Sequence, residues 1–149
     1  MINVEISTVI NRPIGEVFDF LSDMENNMKW RTSQQEVKKL SEGPIGVGTT
    51  YRMVNHVLGR QLETKAEVIE YEPNSKFMTS DKSGTLPVEA QRIFEAVEGG
   101  TRVTFILSTD PSGVFTIAAP LFASMAKRSI ESDVANLKDL MEAGILVSA

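Results

Sequence analysis

The chain has no cysteine, one histidine and one tryptophan among its 149 residues. Without cysteine there is no disulfide framework, no thiolate nucleophile and no cysteine metal site. With His56 as the sole histidine, and with acidic residues scattered without the spacing of a calcium loop, no metal or other cofactor is expected. Basic runs are missing too. The 15 Lys and Arg stand against 20 Asp and Glu, a net charge of −5, which argues against nucleic acid as a partner because phosphate binding rests on clustered cations. The most apolar run, Val114 to Ala126, is interrupted by Pro120 and is too short for the ~20 residues of a membrane-spanning helix. Met1-Ile2-Asn3-Val4-Glu5 lacks the basic and apolar regions of a signal peptide, so a cytoplasmic location is expected. Gly43 to Gly48 is not a phosphate loop, and Ser33, Ser80 and Ser124 lack the surroundings of a nucleophile elbow, so nucleotide chemistry is not expected.

What is present fits a single domain over residues 1–149. A hydrophobic fraction of 42% with 23% charged residues is the balance of a folded soluble chain rather than a disordered one. The dominant element is C-terminal, where Val114 to Ala143 reads as one long amphipathic helix. Phe122, Ala126, Ile130, Val134, Leu137 and Met141 recur at helical spacing on one face, and Lys127, Arg128, Glu131, Lys138, Asp139 and Glu142 occupy the other. Gly144 stands where a helix C-cap wants positive φ. Pro120 is expected to start or kink the helix, leaving Ser112 to Ala119 as a lip opposite a Leu86-Pro87 loop.

Upstream the period changes from helical to two. Ile2 to Ile10 alternates as a strand, and Asn11-Arg12-Pro13 ends it, with Pro13 expected at the first position of a short helix through Val17, Phe18 and Leu21. Asp23 to Lys29 reads as a second short helical piece leading to Trp30, which is expected to plug the core. Six further strands follow: Thr32 to Leu40, Thr50 to Leu58, Arg60 to Tyr71, Phe77 to Lys82, Val88 to Val97 and Arg102 to Thr109. Gly59 and Gly99-Gly100 mark hairpin turns. A seven-stranded antiparallel sheet with one long helix is an α+β layer.

Several of these residues together resemble a known family. Asn11-Arg12-Pro13 with Val17-Phe18, then Trp30, Gly43-Pro44 with Gly46, Gly48 and Thr49, Tyr71-Glu72-Pro73, and Gly99 to Thr104 are similar to the SRPBCC superfamily, in particular its polyketide cyclase/dehydrase-like branch. The resemblance spans residues 2 to 143. It implies a helix-grip fold, in which a curved sheet wraps the C-terminal helix and leaves a deep apolar cavity. The superfamily includes START lipid-transfer domains, pollen-allergen-like hormone binders and aromatic polyketide cyclases, so it implies fold more firmly than activity.

Candidate site residues are those whose period points them into that cavity. In Val88 to Ala96 the inward set is Val88, Ala90, Phe94 and Ala96, which carries Arg92 inward with them. A buried guanidinium demands a partner, and Asp133, which falls on the apolar stripe of the helix, is the candidate. Tyr51, Met53 and Asn55 share the less charged face of their strand. His56 then points outward, or serves as a general base if the register is reversed. Phe77, Phe94, Phe105, Phe122, Met125, Ser129 and Ile130 complete the expected lining, while Leu137, Leu140 and Met141 pack solidly.

Three functions are compatible with this set. The first is a binding module for a small hydrophobic or amphipathic molecule. The second is a cyclase or dehydratase in which Arg92, Asp133, Tyr51 or His56 takes part. The third is a regulatory or protein-interaction domain with a filled cavity. The sequence offers no convincing acid/base pair, which favours binding.

Overall fold

The computed structural model describes residues 2–57, 59–81, 87–110 and 114–146, with the side chains of residues 57, 114–119 and 122 outside that description. Among the described residues seven strands form one curved antiparallel sheet. They are β1 (Ile2–Ile10), β2 (Gln34–Lys39), β3 (Thr50–Val57), β4 (Arg60–Glu72), β5 (Lys76–Asp81), β6 (Val88–Val97) and β7 (Gly100–Thr109). Their order is β1-β7-β6-β5-β4-β3-β2: six strands run as a meander and β1 returns to the far edge beside β7. The crossover carries α1 (Ile14–Leu21) and a 3-10 helix (Met24–Lys29), and α2 (Val114–Glu142) follows the sheet. This is the helix-grip arrangement expected from the sequence. The strand ends expected at Leu58 and Lys82 lie outside the described residues.

Two devices shape the sheet. The register shifts between Gln34 and Glu36 in β2 and between Val68 and Glu70 in β4, and an extra residue on one strand bends it and increases its twist. At the other edge, Gly100 takes φ 146°, and a Cβ there would lie 2.1 Å from the Ile10 carbonyl oxygen. Only glycine lets the β6–β7 turn come so close to the end of β1.

The solid core lies towards the C-terminal end of α2. Val134, Leu137 and Met141 are buried together with Ile10, Val17, Phe18, Phe20 and Leu21, and Leu140 packs against them half-buried. Fully burying an aliphatic side chain such as Leu137 stabilises the fold by about 2–3 kcal/mol. The helix closes on a Schellman motif: Gly144, at φ 75°, donates from its N–H to the Met141 carbonyl at 3.0 Å, and Ile145 donates to Leu140 at 2.9 Å. The Arg12 guanidinium adds a 2.9 Å hydrogen bond to the Met141 carbonyl and ties the end of β1 to the end of α2.

At two prolines the structure departs from expectation. Pro13 is the N-cap of α1, one residue before the first helical position. α2 starts at Val114, as the helical spacing predicts, and does not start anew at Pro120 but runs through it. A proline removes one ladder hydrogen bond, here to the Thr116 carbonyl, and the turns on either side carry the helix across. Of the expected lip, Ser112 and Gly113 lie outside the described residues and Val114 to Ala119 are helical backbone; Leu86 of the opposing loop also lies outside.

Candidate functional site

A cavity of about 340 Å³ separates the N-terminal half of α2 from the sheet. Period two in the strands supplies its sheet wall: Leu62, Thr64 and Ala66 from β4, Val88, Ala90 and Arg92 from β6, and Leu107 and Thr109 from β7. Met53 and Asn55 of β3 and Thr79 and Asp81 of β5 continue it. Met125, Ala126, Ser129 and Ile130 form one helical stripe on α2 and make the opposite wall. The segment following α1 closes one end with Met24, Asn27, Arg31, Ser33 and Gln34. That end is deeply buried, with Asn27 at 0% and Arg92 at 5% exposure, whereas the lining residues His56 and Met125 are exposed to solvent. The wall is largely apolar, with Arg31 and Arg92 at the buried end and Asp81 farther along the sheet.

The chemistry of the buried end rests on two arginines. Arg92 donates to the Leu21 carbonyl at 2.7 Å and to the Asn27 side-chain oxygen at 2.9 Å. Its guanidinium lies 5.5 Å from the centroid of Trp30 and 5.7 Å from that of Phe105, and Arg31 lies 5.6 Å from Trp30. These ring faces attract cations, the more so out of water. Arg31 donates to Asp133 at 3.1 Å, and Asp133 also accepts from the Thr32 N–H at 3.3 Å and hydroxyl at 3.0 Å. Burial lowers the Arg31 guanidinium below its ordinary value, while the Asp133 charge opposes the shift. Arg92 is drawn down to about 9 by burial and by the Arg31 charge, with Tyr51 acting in the opposite sense.

The expected Arg92–Asp133 pair does not form. Both residues are buried as their patterns require, but Asp133 is taken by Arg31 and Thr32, and Arg92 is held by neutral oxygens. Met53, Asn55, Arg92, Met125, Ser129 and Ile130 line the cavity as the sequence pattern indicated. Tyr51, Phe77, Phe94, Phe105 and Asp133 do not; they are buried in the packing behind it. Phe94 meets Phe18 of α1 edge-on at 5.0 Å and Phe105 rests on Trp30 at 5.6 Å, so α1 and the segment after it fill the space these two rings would otherwise face, while Phe77 packs on Tyr71 of β4 at 6.2 Å. Ala96, expected to point inward, is exposed, because β6 extends past the core beyond Phe94. Phe122 lies outside the described side chains. His56 is exposed as expected, yet it also lines the cavity.

Trp30 plugs the junction of the short helices and the sheet at 2% exposure. The Tyr51 hydroxyl is buried; burial raises it well above the ordinary phenol range, and the Asp23 and Glu25 charges push the same way, while the Met24 backbone opposes the shift. Arg31, Asn27, Leu107 and Thr109 are lining residues that the sequence reading missed. The last two follow from Phe105 by period two, but nothing in the local pattern marks Arg31, which sits in an irregular stretch after Trp30. Among the described residues no group of three or more acidic or histidine side chains could hold a metal, and no helix is long and apolar enough to cross a membrane.

A curved antiparallel sheet that holds an apolar cavity against a long terminal helix defines a ligand-binding domain of the helix-grip, SRPBCC type. More particularly, the chain belongs to the family described as polyketide cyclase / dehydrase and lipid transport, which matches residues 1–142. Among solved structures, TTHA0849 from Thermus thermophilus is similar at a TM-score of 0.81 and 18% identity, covering 96% of this chain and 99% of that one. The Aha1 dimer from Colwellia psychrerythraea is similar at 0.66 and 20% identity, over 97% and 98% of the two chains. Ara h 8.0201 is similar at 0.66 and 14% identity, over 93% and 95%. Identities this low speak for the fold alone. No curated protein matches the chain in sequence.

Proposed function

We propose that the chain, acting as one domain, binds a small hydrophobic or amphipathic molecule in the cavity between the sheet and α2. The observation that carries this reading is the cavity itself: about 340 Å³ inside a fold whose other half is solidly packed, with Met53, Leu62, Val88, Leu107 and Ile130 among its walls. Ligand sites are typically concave, mostly apolar and furnished with a few polar groups that fix orientation. The lipid-transport element in the description of the family supports the same class of ligand. A filled regulatory domain fits less well, because the space is open. The cyclase or dehydratase reading also loses support, since Asp133 is engaged by Arg31 and Thr32 away from the cavity and Tyr51 does not line it.

The experiment is a titration with Nile red, a neutral apolar dye, followed by its emission. Wild type should give saturable binding with a blue shift, and Ala126→Trp, which fills the cavity from the helix side, should weaken it at least about tenfold while preserving the melting temperature. Absence of saturable binding by the wild type would overturn the reading.

A further inference from the structure

We propose that the cavity selects acidic amphiphiles, with the ligand carboxylate seated at the buried end against Arg92 and its apolar chain lying towards Met125. This rests on the cavity-binding reading above and adds the chemical class and orientation of the ligand. The argument begins with charge. Arg31 and Asp133 offset one another, but among the described residues no carboxylate reaches Arg92, whose hydrogen bonds go to the Leu21 carbonyl and the Asn27 amide oxygen. The buried end therefore holds one positive charge in excess.

The carboxylate that does line the cavity, Asp81, lies too far along the sheet to offset it. Phe77 pairs with Arg92 and Asp81 pairs with Val88 in the β5–β6 register, so the two sites lie four residues apart along the strands, or about 13 Å at ~3.3 Å per residue. A guanidinium carries five N–H donors, and Arg92 uses two of them on neutral oxygens. The rings of Trp30 and Phe105 attract the cation at 5.5 and 5.7 Å and help keep it beside the cavity. Leaving a charge uncompensated in a buried site is costly, so a site of this kind favours a ligand that brings the opposite charge. An alcohol or an amine offers a poorer match: the first supplies no charge and the second repeats the charge already present.

The test compares decanoate, decanol and decylamine at neutral pH by displacement of Nile red, with the emission of Trp30, the sole tryptophan, as a reading from beside Arg92. Wild type should prefer decanoate to decanol by about tenfold or more, the scale of a charge-assisted hydrogen bond to a buried partner, and decanoate should perturb Trp30 most. Arg92→Met should erase the preference while decanol binding persists, and Arg92→Lys should retain part of it. If Arg92→Met does not fold, the acid-to-alcohol ratio of wild type alone decides the question. Equal displacement by acid and alcohol, or a preference for the amine, overturns the inference while leaving the cavity reading intact. Failure of Nile red and of all three probes to bind overturns the cavity reading itself.

Discussion

Replacing Asp133 by alanine should unfold the protein more readily than any change at the cavity mouth. Asp133 is 1% exposed and accepts three hydrogen bonds, from the Arg31 guanidinium at 3.1 Å and from the Thr32 N–H and hydroxyl at 3.3 and 3.0 Å. Removing it leaves the largely buried Arg31 charge without a counter-charge beside Arg92, while the donors of the exposed Thr32 turn to water. Breaking a buried ion pair from one side costs about 3–5 kcal/mol. With an unfolding entropy of ~2.1 cal/mol/K per residue, that loss lowers the midpoint of a chain this long by about 10–15 °C. The assay is urea unfolding followed by Trp30 emission, with the denaturant slope compared between variant and wild type. A loss under about 1 kcal/mol at unchanged slope would refute the reasoning. The double variant Arg31→Met with Asp133→Leu removes both charges at once and should recover to within about 1–2 kcal/mol of wild type, because it is the orphaned charge and not the missing pair that destabilises.

Other outcomes follow from the same structure. Gly100→Ala should lose at least ~2 kcal/mol in a melting experiment, because the new Cβ meets the Ile10 carbonyl at 2.1 Å on a φ of 146°; a neutral result would mean that the β6–β7 turn can move away from β1. Leu137→Ala, at a fully buried position, should cost about 2–5 kcal/mol and leave Nile red affinity unchanged, whereas Met125→Ala at the exposed rim should do the reverse; equal losses in both assays would count against separate core and cavity. Affinity for decanoate should hold from neutral pH to about 9 and fall above it, as the free protein's Arg92, faced by Arg31 and Tyr51, loses its proton; a flat profile to higher pH would place the carboxylate elsewhere. Without ligand the effect on stability has the opposite sense: the folded value of about 9 lies below that of an ordinary guanidinium, so the cost of burying the charge is complete below about pH 9 and eases as pH rises above it. Glu142 works in the acid range, where hydrogen bonds from Lys138 and the Asn11 N–H hold it below the usual carboxylate range; Glu142→Gln should cost under ~0.5 kcal/mol at neutral pH, given its solvent exposure, and nothing in strong acid.

The elements were legible because their causes are local. Period two in β6 places Arg92 inward whatever its neighbours, and the 3.6-residue stripe of α2 puts Met125, Ser129 and Ile130 on the cavity side. Gly144 announced the end of the helix through its tolerance of positive φ. The aromatic lining was read less well. Period two says which face of a strand a ring occupies, and Phe77, Phe94 and Phe105 are indeed buried. It does not say whether that stretch of the face meets open space or the short helices that cover it.

By itself, then, the sequence determined the order of the strands and helices, the face each presents, the absence of thiol chemistry and the inward aim of one arginine. Tertiary structure alone decided how the charges are matched. Asp133 reaches Arg31 across 102 positions, while Arg92 reaches Asn27 and the Leu21 carbonyl across 65 and 71. Alternation and helical spacing fix direction within an element, but a buried charge takes its partner from whichever distant segment the packing brings within about 3 Å. That choice left Arg92 with neutral partners at the buried end of an apolar cavity.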